Sequence, residues 1–160
     1  MQFLAQIRLV DVGEAGVPPG LLLLFHCRNK PGQCNEWDPM SGGNVALRVV
    51  ERGAMLLDPP VTSRKTLLDD MDGVKFAPLS GDYATQRDRD ESVLGYLGGS
   101  PVWTQGDETP ACGKCKKPMR FVVQLEERGG GGIVFGDGGT GYGFVCSKCP
   151  EEARFLWQAP

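Results

Sequence analysis

Four of the six cysteines fall into two Cys-x-x-Cys pairs, Cys112/Cys115 and Cys146/Cys149. No other feature restricts the fold of this chain as much. Each pair can close a tight knuckle whose sulfurs point to one side, with backbone N–H groups donating to the thiolates. Gly113 and Ser147, each just after a leading cysteine, suit such turns. The strand-like MRFVVQL and GYGFV segments between the pairs predict a β-hairpin that brings four sulfurs together around one Zn²⁺ ion. Four thiolates leave the ion no open position, so the site is expected to be structural. Its formal charge of about −2 is expected to be offset by Lys114, Lys116, Lys117 and Lys148. A thioredoxin-like redox pair needs a helix opening at the cysteines, and Pro118 with the strand-like MRFVVQL opposes it. Two separate disulfides would suit a secreted chain, and nothing here directs secretion.

The chain of 160 residues is long enough for a hydrophobic core without the metal. With 23 glycines and 12 prolines, short strands and tight turns are favoured over long helices. A net charge of −3 with scattered signs supplies neither a nucleic-acid footprint nor a polybasic membrane patch. Leu21–Phe25, the longest apolar run, is too short to span a bilayer. MQFLAQIRLV lacks the marks of a signal peptide, so a cytoplasmic protein with reduced thiols is expected.

Strands are predicted over Phe3–Val10, Leu21–Cys27, Val45–Glu51, Val74–Leu79, Ile133–Phe135 and Tyr142–Val145. Asn29–Gly43 reads as a loop, Asp58-Pro59-Pro60 as a break, and Val61–Asp72 as a strand or short helical turn. Ala84–Leu97 is the one helix candidate, ended by Gly98-Gly99-Ser100-Pro101.

The sequence also repeats itself. Met1–Ile7 matches Met119–Leu125 at Met, Phe and Gln, and Phe25-x-Cys27 follows the first copy much as Phe144-x-Cys146 follows the second. Two strand pairs related by a pseudo-two-fold axis are therefore expected, with Gln6 and Gln124 as equivalent polar groups bonded to backbone. In this scheme Cys27 stands where Cys146 stands, and Cys34 takes the part of Cys149. The counterpart of Cys112/Cys115 would fall just ahead of Met1. Either Cys27 and Cys34 are half of a second zinc site, its other half lost or encoded upstream, or both are ordinary small residues, Cys27 in the core.

Three other motifs yield less. Gly136-Asp-Gly138-Gly-Thr-Gly141 has the spacing of a dinucleotide-binding loop, but a strand rather than a helix follows it, so it reads as a hairpin turn. His26 and Cys27 are adjacent on a strand and point to opposite faces, which excludes a dyad between them. Trp103, beside Gly98, Gly99 and Pro101, is the tryptophan best placed for a close backbone approach.

LGGSPVWTQ at 97–105, the following C-x-x-C, PMRFVVQL, FGDGGTGYGFVC and FLWQ at 155–158 resemble the bacterial YwqG-like domain of unknown function. GLLLLFHC and SGGN resemble that family's first half. The resemblance implies a single domain over 1–160, α+β but mostly β, in two similar lobes. The first spans about 1–97, and the second, about 98–160, bears the zinc-knuckle hairpin. It implies no reaction. The knuckles and the M-x-F-x-x-Q-L strand are more distantly similar to the C-terminal part of the programmed-cell-death-2 proteins, which escort a ribosomal protein. That likeness points to a protein partner. The expected function is a non-enzymatic, cytoplasmic, zinc-stabilised protein-interaction module with no catalytic residues. The competing expectation is an enzyme acting on a small molecule in a cleft between the lobes, near Trp103 and Gln105 or His26 and Cys27.

Overall fold

A computed structural model describes residues 1–28, 33–50, 73–79, 81–127 and 133–160. The Asp58-Pro59-Pro60 break, the Val61–Asp72 segment, Glu51 and part of the Asn29–Gly43 loop lie outside them. The fold is mostly β, with two antiparallel sheets and one short α-helix among the described residues. The first sheet has the order β1 (Gln2–Arg8), β2 (Leu21–His26), β3 (Asn44–Val49). The second has the order β4 (Gly95–Leu97), β5 (Arg120–Glu126), β6 (Thr140–Val145), β7 (Ala153–Gln158). No helix among the described residues is long and apolar enough to cross a membrane.

The repeat seen in the sequence extends through three strands in register. Phe3 pairs with Phe25 as Phe121 pairs with Phe144, and both copies then carry a one-residue bulge. Beyond it, Ala5↔Leu24 and Gln6↔Leu23 match Val123↔Gly143 and Gln124↔Tyr142. The third strands continue the correspondence, His26↔Asn44 matching Val145↔Ala153. Even the exit is shared. Cys27 N–H donates to the Gly43 carbonyl at 2.8 Å, and Cys146 N–H donates to that of Glu152 at 2.9 Å.

Residues paired directly across antiparallel strands share a face, which sorts the side chains cleanly. Ile7, Leu22 and Leu24 of the first sheet form one core with Val123, Leu125, Val145 and Phe155 of the second. The fit is large against absent: a Cβ on Gly143 would lie 3.4 Å from Leu22 Cδ2 and 3.6 Å from Leu24 Cδ1. The second sheet is buried on its other face too, where Met119, Phe121, Tyr142, Phe144 and Leu156 pack under Trp103.

Three predicted elements are corrected. The helix spans only Tyr83–Arg89, α1, capped by the Asp82 carboxylate accepting from Thr85 N–H. Asp90 then folds into a turn with Ser92, and Gly95–Leu97 is drawn into the second sheet against β5. Sheet pairing overrides local helical propensity there. Val74–Leu79 forms no strand. Val74, Phe76 and Leu79 are exposed, and no described strand pairs with the segment. Ile133–Phe135 is not a strand either, because Phe135 N–H is taken by the Glu127 carboxylate at 2.7 Å.

Candidate metal centre

The four cysteine sulfurs of 112, 115, 146 and 149 all lie within 4.8 Å of one another. Thiolates about 2.3 Å from a tetrahedral ion sit roughly 3.8 Å apart, and Cys115 Sγ stands 3.6 Å from Cys146 Sγ. Both knuckles are built by backbone. A bridge between Ala111 and Pro118 closes the first, with Cys112 N–H donating to Lys117 and Lys116 N–H to Cys112. Lys116 takes a left-handed φ of 59° to make that turn. In the second, Lys148 and Cys149 N–H groups donate to Cys146 Sγ at 3.4 and 3.3 Å. Glu152 N–H then returns to the Cys149 carbonyl. Such N–H donors stabilise thiolate over thiol. Cys112 and Cys146 are buried, while Cys115 and Cys149 are half-buried.

Of the lysines expected to offset the thiolate charge, Lys114 interacts with Cys149 as well as, more strongly, with Glu151 and Glu152. Lys114 is held mainly by Glu151, at 3.0 Å, with Glu152 at 3.9 Å, and Arg154 pairs with Glu152 at 3.1 Å. Arg48, on β3 of the other sheet, is buried and donates through Nη2 to the Pro19 carbonyl at 3.1 Å. Burial lowers its pKa and the charge of Cys146 raises it again. Nε and Nη1 of Arg48 are buried without a hydrogen-bond partner among the described residues. The only sequence signal was alternation: Arg48 shares a strand face with Asn44, opposite Val45, Leu47 and Val49.

The sulfurs differ in acidity. The Cys115 backbone N–H brings the Cys112 thiol down to about 7. Desolvation, then the neighbouring cysteines, push Cys149 up to about 12. Near neutral pH a metal ion must therefore expel protons, Cys149's foremost. Affinity should fall as pH drops through about 7, where the Cys112 thiolate takes up a proton. Metal-binding isotherms across that range check this, and a pH-independent affinity would contradict it.

Trp103 lies over Tyr142 and Phe144, with ring centroids 4.6 and 6.0 Å away. Its segment is tied down by side-chain amides. Gln124 Oε1 accepts from Val102 N–H at 2.9 Å, and Gln158 Oε1 accepts from Thr104 and Gln105 N–H at 3.1 and 2.9 Å. Gln124 thus bonds to backbone as expected, whereas Gln6 is exposed. His26 is buried against Phe135 and Trp157, with ring centroids 5.9 and 6.2 Å away. Burial lowers its pKa.

A cleft of about 460 Å³ opens beside Trp103, lined among others by Arg87, Thr104, Glu126 and Glu127. Its carboxylates are engaged. Glu126 accepts from Tyr83 and Gln124 through Oε1 and from Thr140 through Oε2, and Arg87 stands 3.7 Å from Oε2. Burial, then the bond to Glu126, raises the Tyr83 pKa. Glu127 Oε2 accepts from the Phe135 and Gly139 N–H groups and so closes the glycine-rich turn.

A 73-residue stretch of the chain is 32% identical to the uncharacterized protein YpfL of Salmonella typhimurium (strain LT2). That match covers 42% of this chain and 16% of YpfL. No protein-family model matches the chain, and no solved structure matches it.

Proposed function

We propose that the chain is a single YwqG-like domain acting as a non-enzymatic, zinc-stabilised protein-interaction module in a reducing, cytoplasmic setting. The observation that carries the metal part is the convergence of four sulfurs with backbone N–H donors aimed at them. Zinc suits an all-thiolate tetrahedral site. With every position taken by protein, the ion would contribute folding energy and leave no site for substrate. The interaction part rests on the outer face of the first sheet, where Leu47 and Val49 are 49% and 37% exposed beside half-buried Leu23 and Phe25. Clustered exposed apolar side chains mark binding surfaces.

Affinity capture from the native host, with wild type and Leu47→Asp run in parallel, tests the module. A partner held by wild type and lost from the variant is the expected result. The cleft beside Trp103 supports a second reading, an enzyme acting on a small molecule. A reproducible turnover abolished by Glu127→Gln would favour that reading and overturn the first.

A further inference from the structure

Among the described residues, the first sheet lacks two things that the second possesses. In the second, residues 98–118 cross the outer face and then deliver Cys112 and Cys115 to the metal centre. Val102 N–H bonds to Gln124, Trp103 stacks on Phe144, and the knuckle follows. In the first, the equivalents of Gln124 and Phe144 are Gln6 and Phe25. Gln6 is exposed and Phe25 half-buried. The apolar side of β3, Val45 with Leu47 and Val49, faces outward there too, while Asn44 and Arg48 are buried.

The thiols are already in place. Cys27 Sγ and Cys34 Sγ are 3.3 Å apart and half-buried. The two thiols are in hydrogen-bond contact, about 0.5 Å closer than the roughly 3.8 Å between two thiolates that share a tetrahedral ion, so a small outward shift would seat an ion between them. Cys27 leaves β2 through the same backbone bond that Cys146 makes on leaving β6. The turn presenting Cys34 is as constrained as a zinc knuckle. Asn35 takes a left-handed φ of 46°, Ser41 Oγ donates to the Asn35 carbonyl, and Asn44 Nδ2 donates to that of Glu36. Gly43 packs so closely on this turn that a Cβ there would lie 2.3 Å from the Cys34 carbonyl oxygen. The six cysteines of the chain are divided four and two between these places.

We propose that Cys27 and Cys34 are half of a second four-thiolate metal site. Its other half comes from a separate polypeptide segment seated on the outer face of the β1–β2–β3 sheet. The occupant's chemistry is that of residues 98–118: an extended stretch with an aromatic side chain to lie on Phe25, a backbone N–H for Gln6, and then a Cys-x-x-Cys pair. Metal binding and docking are one event, since the ion needs thiolates from both sides and the segment gains its anchor from the ion. The inference rests on the metal reading of Cys112, Cys115, Cys146 and Cys149.

The probe is a synthetic peptide with the sequence of residues 98–118, added to reduced full-length protein and titrated with Co²⁺. Thiolate-to-cobalt charge-transfer absorption counts the four-thiolate sites. Protein alone should show one such site per chain, and protein with peptide should show two, a doubling of the plateau. Cys27→Ser/Cys34→Ser should return the plateau to one with peptide present. Leu47→Asp, which leaves all six thiols, should weaken peptide binding at least tenfold, as should Trp103→Ala within the peptide. No cobalt site on the protein alone would overturn the first metal reading. One site with or without peptide, or a second that survives loss of Cys27 and Cys34, would overturn this one.

Discussion

Replacing Cys146 by serine should destabilise the protein by several kcal/mol and dissolve the second sheet before the first. The apparent binding energy of a structural zinc is of order 10–16 kcal/mol at neutral pH. A whole domain is stable by only about 5–15 kcal/mol. Cys146 is the sulfur whose loss reaches furthest: it is buried, accepts two backbone N–H groups and directly follows β6. Serine would leave the Lys148 and Cys149 N–H groups without the thiolate they donate to. For a chain of this size, a loss of about 4 kcal/mol corresponds to a drop of roughly 8–16 °C in Tm. Thermal unfolding followed by tryptophan fluorescence reads it directly, because Trp103 lies on the sheet that the metal secures. Chelation of the wild type should reproduce the variant's melting curve. A Cys146→Ser protein that melts like wild type would show that the ion is dispensable.

Gly139→Ala is expected to cost about 3 kcal/mol or more, while Gly138→Ala costs about 1. A Cβ on Gly139 would lie 2.0 Å from the Phe135 carbonyl oxygen and 2.6 Å from that of Gln158. Both are backbone atoms and neither can step aside alone. The same residue exchanges hydrogen bonds with Glu127, its N–H to the carboxylate and its carbonyl from the Glu127 N–H. Gly138 has a left-handed φ of 77° but nothing within 4 Å of the place a methyl would occupy, so only backbone strain opposes alanine there. Urea denaturation of the two variants separates crowding from strain. Equal losses would mean that the turn repacks. The most crowded glycine of this turn is thus the one the phosphate-loop pattern leaves out.

Much of the second half was legible because its signals are local. Cysteine spacing specified the knuckles, and the strand-like composition of MRFVVQL and GYGFV specified β5 and β6, while the Phe-x-x-Gln repeat placed both strand pairs. What escaped depends on partners distant in sequence. Gly95–Leu97 reads as helix until β5 is there to pair with it. Val74–Leu79 has the composition of a strand but no described neighbour. Arg48 alternates like a solvent-facing residue, yet it is buried and donates to the Pro19 carbonyl, 29 residues away in sequence, while Leu47 and Val49 face out. Period-two patterning says which residues share a face, not which face meets the core.

Metal analysis of the purified, reduced protein is the most direct measurement. One zinc per chain is expected, with Cys112, Cys115, Cys146 and Cys149 protected from alkylation until a chelator is added, and Cys27 and Cys34 modified from the start. A well-folded protein containing no stoichiometric metal, its four knuckle cysteines alkylated as readily as the other two, would contradict the account.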